Sequence, residues 1–291
     1  MKLALAPIPF FWDAPSVRAF YEEIAHTSVD IVYLGEIVCY KRRGLRLEEW
    51  LEIAELLRAC GKEVVLSSLV LLDGEAELKA TRALCANGRF RIEANDMAAV
   101  SLSAGRPFVA GATLNLYNAD ALRVLANLGA TRFVAALELS GEALAELRNT
   151  GPQDLECEVL AYGRPALAYS ARCFSARARD RGKDACEWVC EQHPEGLAVT
   201  TQDDQAFLII NGLQIHGAHP LNYLSELASL AAARVDILRL MPQKSGTAHV
   251  IDTFHGVLTG RYTQAEGQAR LATDADANGY WRGEAGWKAC P

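Results

Sequence analysis

The sequence predicts an α/β fold: a single TIM-barrel-like (β/α)8 domain with an insertion after its seventh strand. Short runs of β-branched and aliphatic residues alternate with longer stretches of helical period. The length of 291 residues suits one such barrel, which typically uses about 250 residues around a single core. With 51% hydrophobic and 22% charged residues, the composition is that of a folded globular chain.

The elements alternate along the chain. The eight predicted strands are Lys2–Ala6, Asp30–Gly35, Lys62–Ser67, Phe90–Ala94, Phe108–Thr113, Arg132–Leu137, Glu156–Tyr162 and Val235–Met241. The predicted helices between them include Ser16–Ala25, Leu47–Ala59, Glu75–Ala86, Asn118–Leu128, Gly141–Arg148 and Leu221–Ala233. A strand–helix unit repeated to a count of eight favours a closed parallel barrel over an open sheet.

One segment interrupts this alternation. From Gly163 to about Gly217 the chain spends more than fifty residues where a short connection and a helix would suffice. We therefore expect one domain over residues 1–291 with an insertion at about 163–217. Within it, Ala206–Ile210 and Leu213–His216 flank Asn211-Gly212, a good two-residue turn for a β-hairpin.

Charge and hydropathy indicate which kind of partner and which cellular compartment to expect. The formal net charge of −7 disfavours general affinity for the phosphates of nucleic acid and favours a small-molecule or protein partner. No apolar run approaches the roughly 20 residues that span a bilayer, and the first residues do not resemble an export signal. We expect a cytoplasmic protein that does not span a membrane, in which stable disulfides are rare.

The eight cysteines therefore need another explanation, and four have a simple one. Cys60 closes a helical pattern, Cys85 lies on a helix face and Cys157 lies within a strand, and all three fit the role of a small buried hydrophobic residue. Cys290 is the penultimate residue and is interpreted as part of a mobile tail. None of these four is a candidate ligand.

The other four cysteines are candidates for a shared site. Cys39 follows the second predicted strand and Cys173 follows the seventh, so both lie at the barrel rim where active sites of this fold gather. Cys186 and Cys190 are four residues apart and share one face if their segment is helical. The four thiols can thus converge on one centre, either tetrahedral zinc or an iron–sulfur cluster, and scattered core cysteines are the alternative.

Basic residues surround these cysteines. They are Arg164, Arg172, Arg177, Arg179, Arg181 and Lys183 in the insertion, and Lys41, Arg42 and Arg43 after Cys39. Positive charge lowers the pKa of thiols and offsets the negative charge of a tetra-thiolate cluster. Two other interpretations are a solvated basic loop and a pocket for a carboxylate or phosphate.

Other chemistry is sparse. The usual signatures for nucleoside triphosphates, dinucleotides and zinc proteases are missing from the sequence. His216 and His219 are three residues apart and are interpreted as ordinary surface polar residues. Glu36, Glu93 and Glu138 lie near predicted strand ends, where we expect a solvated rim. The catalytic residues stay unassigned.

Two motifs carry a resemblance to a known family. They are Tyr169–Cys173, which reads YSARC, and Cys186–Cys190, which reads CEWVC. With YLGEIVCYKRR around Cys39 and NGYWRGEAG at Asn278–Gly286, they make the chain resemble the collagenase-like peptidase family over nearly its whole length. The early cysteine makes it most similar to an iron–sulfur subgroup that acts in ubiquinone biosynthesis.

The resemblance implies a cofactor, a partner and a reaction. Cys39, Cys173, Cys186 and Cys190 match the ligands of a [4Fe–4S] cluster in that subgroup. Its members form heterodimers with a homologous UbiU-like protein and support oxygen-independent hydroxylation of ubiquinone precursors, whereas other relatives hydroxylate RNA. A non-catalytic iron–sulfur scaffold subunit is the alternative. A peptidase fits less well, because no Ser-His-Asp or zinc arrangement is recognisable.

Overall fold

A closed parallel barrel forms the body of the chain. The computed structural model describes residues 1–42, 44–271 and 276–290. Its strands, in chain order, are β1 (Lys2–Leu5), β2 (Ile31–Leu34), β3 (Glu63–Ser67), β4 (Arg91–Ala94), β5 (Phe108–Ala110), β6 (Ala130–Val134), β7 (Glu156–Gly163), β8 (Ala166–Tyr169), β9 (Leu197–Thr200), β10 (Ala206–Asn211), β11 (Gln214–Gly217), β12 (Leu221–Asn222) and β13 (Ile237–Leu240). Strands β7-β13-β1-β2-β3-β4-β5-β6 are neighbours in that order, and β6 pairs with β7 to close the ring. The predicted barrel is confirmed.

Helices follow most barrel strands. They are α1 (Ala14–Ala25), α2 (Leu47–Ala59), α3 (Glu75–Cys85), α4 (Met97–Ser103), α5 (Ala119–Leu128), α6 (Gly141–Thr150), α7 (Phe174–Arg177), α8 (Leu227–Ala232), α9 (Thr247–Leu258) and α10 (Gln264–Leu271). The side chains of Asp13, Asp96, Asn118 and Ser140 accept backbone N–H bonds at the starts of α1, α4, α5 and α6. Such N-caps fix where these helices begin. Every helix in the described ranges is too short or too polar to cross a membrane.

All eight predicted barrel strands are present, but one predicted helix is wrong in part. The helix expected over Leu221–Ala233 starts only at Leu227. Its first residues, Leu221 and Asn222, instead pair antiparallel with the end of β7 as the short strand β12. Here backbone pairing to an available sheet edge overrides the helical spacing of the apolar residues.

The barrel interior is filled by an apolar layer and a charged one. The apolar layer consists of Ala4, Ile31, Tyr33, Val65, Val109, Val134 and Ile237. In the charged layer, Arg239 contacts Glu158 at 2.5 Å and Glu93 at 2.7 Å. Tyr33 donates to Glu158 at 2.5 Å and accepts from Arg132 at 3.1 Å. This packing leaves the mouth of the barrel as the place for a ligand.

The segment after β7 builds a second, antiparallel sheet in the order β8-β11-β10-β9. The predicted hairpin is present as β10 and β11, but its turn lies one residue later than expected. Asn211 pairs with Gln214, so Gly212 and Leu213 form the turn. Gly212 has φ +67 at the first turn position, where glycine is the residue best suited to a positive φ.

Candidate functional site

All four candidate cysteines line one small cavity. The loop after β2 supplies Cys39, the start of α7 supplies Cys173, and two short 3-10 turns further along supply Cys186 and Cys190. The cavity measures about 20 Å³ and all four thiols are free of disulfides. Residues far apart in sequence thus contribute to one sulfur-rich site, which we call the thiol cavity.

The segment that carries Cys186 and Cys190 is not a continuous helix. Two 3-10 turns, Lys183–Ala185 and Val189–Gln192, are separated by Glu187 and Trp188 with φ of 47° and 50°. The condition under which helical spacing would place both cysteines on one face is therefore not met. Non-glycine residues with positive φ cost energy and concentrate at functional sites. The unusual turn directs both cysteines to the thiol cavity.

Cys173 is held by the hairpin. It caps α7, and its sulfur lies 3.4 Å from the backbone nitrogen of Ala176. The backbone N–H of Phe174 donates to the carbonyl of Gly212 at 2.8 Å, and the N–H of Gly212 donates to the Ser175 hydroxyl at 2.9 Å. The glycine turn and the first turn of α7 therefore fix one another.

Arg42 and Asn211 join the loop of Cys39 to the segment of Cys190. The Arg42 guanidinium donates to the carbonyl oxygens of Pro9 and Asn211, each at 3.2 Å, and to the side-chain oxygen of Asn211. The Asn211 amide donates onward to the carbonyl of Cys190 at 2.9 Å. Both side chains are buried. The Asn-Gly pair signalled only a turn, so the sequence did not identify this role of Asn211.

Three basic side chains line the thiol cavity, and each has a carboxylate nearby. Lys41, Arg42 and Lys183 line it together with the cysteines. Lys41 pairs with Asp184, and Lys183 contacts Asp73 at 2.8 Å. Arg42 contacts Glu36 at 3.6 Å, and its Nε has no hydrogen-bond partner.

Two opposing effects act on the thiols. Burial raises the pKa of both Cys39 and Cys190, and the positive charge of Arg42 opposes that shift. Binding of a metal requires the thiolate form, so a cluster with its own positive irons would favour deprotonation here. Among the described residues, no three His, Cys, Asp or Glu side chains are already grouped tightly enough to hold a single metal ion.

The predicted basic run is mostly solvated. Its exposed members are Arg172, Arg177, Arg179 and Arg181. Of that run, Lys183 lines the thiol cavity, and Arg164 contacts the carbonyl of Ala218 instead. Arg43 lies outside the described residues. The interpretation as a solvated loop therefore holds for the exposed arginines, while the charge at the cavity comes from Lys41, Arg42 and Lys183 of the predicted basic residues.

The acidic candidates occupy three different environments. Glu36 accepts the backbone N–H bonds of Val38 and Cys39 and so shapes the loop of Cys39. Glu93 is buried inside the barrel against Arg239, so the expectation of a solvated rim is wrong for it. Glu138 accepts a hydrogen bond from the Tyr117 hydroxyl in an exposed position, as that expectation required.

The two candidate histidines also differ. His216 was expected on the surface, but it is fully buried at the barrel mouth, because β11 lies over that opening. His219 is partly buried in the loop that follows. Among the cysteines outside the site, Cys85 and Cys157 are buried as expected, whereas Cys60 is exposed.

Comparisons with known proteins identify relatives of this chain. It is 33% identical over 79 residues to tRNA hydroxylation protein P of Escherichia coli (strain K12), which covers 26% of this chain and 17% of the relative. It is 30% identical over 92 residues to tRNA hydroxylation protein P of Haemophilus influenzae (strain ATCC 51907 / DSM 11121 / KW20 / Rd), covering 31% of this chain and 20% of the relative. The alignments thus span about a fifth of these relatives or less.

A solved structure is similar over a longer range. The U32 peptidase Mk0906 aligns with a TM-score of 0.47 and 12% identity, over 84% of this chain and 93% of that one. The profile of peptidase family U32 matches residues 15–276, which is most of the sequence. The chain belongs to peptidase family U32.

Proposed function

We propose that Cys39, Cys173, Cys186 and Cys190 hold a [4Fe–4S] cluster. We further propose that the chain acts as a UbiV-like subunit, with a homologous UbiU-like partner, in oxygen-independent hydroxylation of ubiquinone precursors. The observation that carries the proposal is the meeting of four unpaired cysteines from two distant segments in one cavity. The subgroup motifs around Cys39 and Cys173 connect that cavity to quinone chemistry.

The donor set fits such a cluster. Four thiolates are its usual protein ligands, and it supplies one-electron transfer when bound. A tetrahedral zinc ion needs four donors within about 2.3 Å of one point, whereas a cubane binds each thiolate through a different iron and tolerates wider spacing. The cavity walls contribute Arg42 as a buried positive charge. The half-exposed Trp188 covers the cavity and is anchored by its indole N–H to the carbonyl of Lys41 at 2.6 Å.

A protein partner is supported by the outer face of the insertion sheet. The strand registers place five aliphatic side chains on the face opposite His216 and Ile209, and none of the five is fully buried. They are Leu197, Val199, Leu208, Ile210 and Ile215. A contiguous apolar face beside a candidate redox site is typical of an interface. Co-expression with the partner, followed by light scattering, tests whether a one-to-one complex forms.

A second candidate is hydroxylation of tRNA, favoured by the similarity to tRNA hydroxylation protein P. The net charge of −7 opposes binding of a polyanion. Electrophoretic mobility shifts with bulk tRNA at two salt concentrations distinguish hydroxylation of tRNA from hydroxylation of a quinone precursor. Tight, strongly salt-dependent binding would favour the RNA substrate.

The cluster itself is tested by anaerobic purification of the wild type and two cysteine variants. We expect a brown wild-type protein with about four irons and four sulfides per chain and broad absorbance near ~400 nm. Cys39→Ser is expected to lose the cluster, whereas Cys60→Ser, at an exposed cysteine outside the cavity, retains it. A colourless wild type with stoichiometric zinc would refute the proposal.

The role of the cluster is tested with the assembled complex. If the subunit takes part in the redox reaction, Cys39→Ala in this chain alone abolishes ring hydroxylation by the pair. Retained hydroxylation without this cluster would instead support a non-catalytic scaffold. Peptide cleavage by the cluster-loaded protein would support a peptidase.

A further inference from the structure

A larger cavity lies at the mouth of the barrel, next to the thiol cavity. It has a volume of about 460 Å³, within the usual range for small-molecule sites. Its apolar walls include Pro7, Ile37, Val70, Leu137, Leu160 and Met241. This barrel-mouth cavity is at the rim where ligands bind in barrels of this kind.

Carboxylates outnumber cations at this cavity. Arg239 is the only cation among the described residues that line it, and two carboxylates, Glu93 and Glu158, already neutralise it. The remaining acid, Glu138, is on the exposed side and accepts from Tyr117. No unpaired positive charge is left for an anionic ligand. The charges thus disfavour an anion, and the apolar walls favour a ligand that is uncharged and mainly apolar.

One side chain in the lining, His216, has a ring nitrogen without a hydrogen-bond partner. His216 is fully buried, and its Nδ1 lies 3.2 Å from the carbonyl oxygen of Arg164, while its Nε2 has no hydrogen-bond partner. A carbonyl only accepts, so Nδ1 carries the proton and donates to it. In the neutral ring, Nε2 is then an acceptor that needs a donor. An unmatched acceptor in a buried site costs free energy unless a ligand satisfies it.

The two cavities share a wall. Ile37 and Tyr169 line the barrel-mouth cavity and also pack against the apolar cluster that contains Cys173. Cys39 and Cys186 pack against the same cluster. The carbonyl of Pro9, another lining residue, accepts from Arg42. A ring bound at the mouth is thus separated from the thiols by a thin layer of side chains.

We propose that the barrel-mouth cavity binds an uncharged phenolic ring whose hydroxyl donates a hydrogen bond to Nε2 of His216. The apolar walls enclose the ring, the neutralised Arg239 gives an anion no advantage, and His216 distinguishes a hydroxyl donor from a group that only accepts. The assignment of this ring to a quinone precursor rests on the proposed function. The binding itself does not.

Three probes of equal ring size test the proposal: phenol, anisole and benzoate. Their affinities are measured by calorimetry or ligand-observed NMR with the anaerobically purified full chain. We expect phenol to bind about tenfold more tightly than anisole, which lacks the donor, and benzoate to bind more weakly than phenol. His216→Phe keeps an aromatic ring but removes the acceptor, and so removes the preference for phenol over anisole.

A second pair of variants covers the case in which His216→Phe does not fold. Ala112→Phe fills the mouth from a partly exposed position, and Ala76→Phe makes the same change on the exposed surface of α3. We expect the first to lose phenol binding and the second to retain it. Equal binding of phenol and benzoate by the wild type, or phenol binding unaffected by Ala112→Phe, would overturn the proposal.

The result is separable from the cluster assignment. Phenol binding by a protein that contains no iron would preserve the barrel-mouth site and refute the proposed function. A cluster-loaded protein that does not bind phenol would refute the barrel-mouth site and preserve the cluster assignment. Repeating the titration with Cys39→Ser shows whether the site depends on the cluster.

Discussion

Two buried arginines of this chain have opposite electrostatic roles. Arg239, inside the barrel, contacts carboxylates of both Glu93 and Glu158 at 2.7 and 2.5 Å. Arg42, beside the thiols, is held mainly by neutral oxygens, and its nearest carboxylate, Glu36, is 3.6 Å away. The charge of Arg239 is neutralised within the barrel. The charge of Arg42 remains directed at the thiol cavity.

A structural charge differs from a functional one in how fully it is paired. A buried ion is costly unless paired, so a fully paired arginine needs no further explanation. A buried arginine beside four thiols, with its nearest carboxylate at 3.6 Å, gains a further negative partner when those sulfurs are deprotonated. The barrel network thus pairs Arg239 within the fold, while Arg42 is placed to stabilise the deprotonated sulfurs that the proposed cluster requires.

The strongest test of this comparison breaks the barrel network. Glu158→Gln removes the buried carboxylate that accepts from Tyr33 and Arg239, and leaves Glu93 as the one carboxylate on Arg239. We expect a loss of about 3–5 kcal/mol in the free energy of unfolding, measured by denaturant titration. The surface pair Lys288–Glu284 provides the control, and Glu284→Gln is expected to change little. Equal effects would show that burial of the network contributes no special stability.

The next largest effect concerns the pH dependence of stability. Burial lowers the pKa of His216 to about 4, from an ordinary value of 6.5. Between these values the unfolded chain takes up a proton that the folded chain excludes, so folding weakens as the pH falls from 6.5 towards 4. The contribution lost is on the order of 3 kcal/mol.

The measurement is a set of unfolding curves at pH 7 and pH 4.5. His216→Phe is expected to show a smaller loss of stability between these values than the wild type does. His249→Gln, at an exposed histidine, serves as the control and keeps the wild-type slope. An unchanged slope in His216→Phe would mean that other groups account for the acid sensitivity.

The sequence predicted the barrel well because each strand is a local signal. Runs such as Asp30–Gly35 and Lys62–Ser67 are short, contain β-branched residues and alternate with helical segments, and both contain barrel strands. The four candidate cysteines line one cavity, because the rim of the barrel collects segments that follow different strands.

The geometry of the insertion was less accessible to sequence. The turn between Cys186 and Cys190 depends on the positive φ of Glu187 and Trp188, for which neither residue type has a strong intrinsic preference. His216 became buried only because β11 packs over the barrel, a long-range contact that no local pattern encodes. Interactions between segments, rather than propensities within them, decided these features.

Arg42 itself allows a sharper test of the comparison. Arg42→Gln removes both its charge and its hydrogen bonds to Pro9 and Asn211, whereas Arg42→Lys keeps the charge. We expect either change to cost about 1–3 kcal/mol of stability, because buried acceptors lose their donor. In the proposed cluster-loaded protein, redox titration should show a lower reduction potential for Arg42→Gln than for Arg42→Lys, since only the former loses the positive charge. Equal potentials would indicate that the field of Arg42 does not reach the thiol cavity.

The smallest effect is expected at the turn that holds Arg42 in place. Gly212 and Gly61 both have positive φ, of +67 and +82, so an alanine at either position strains the backbone by a similar amount, about 1 kcal/mol. They differ in surroundings: a Cβ at Gly212 would lie 2.7 Å from Nη2 of Arg42, whereas a Cβ at Gly61 meets nothing within 4 Å. We expect Gly212→Ala to destabilise the protein by about 1 kcal/mol more than Gly61→Ala, the worth of one displaced hydrogen bond. Thermal unfolding of the two variants measures the difference. If both lose the same stability, Arg42 moves aside at no cost, and its position beside the thiols is not fixed by the hairpin.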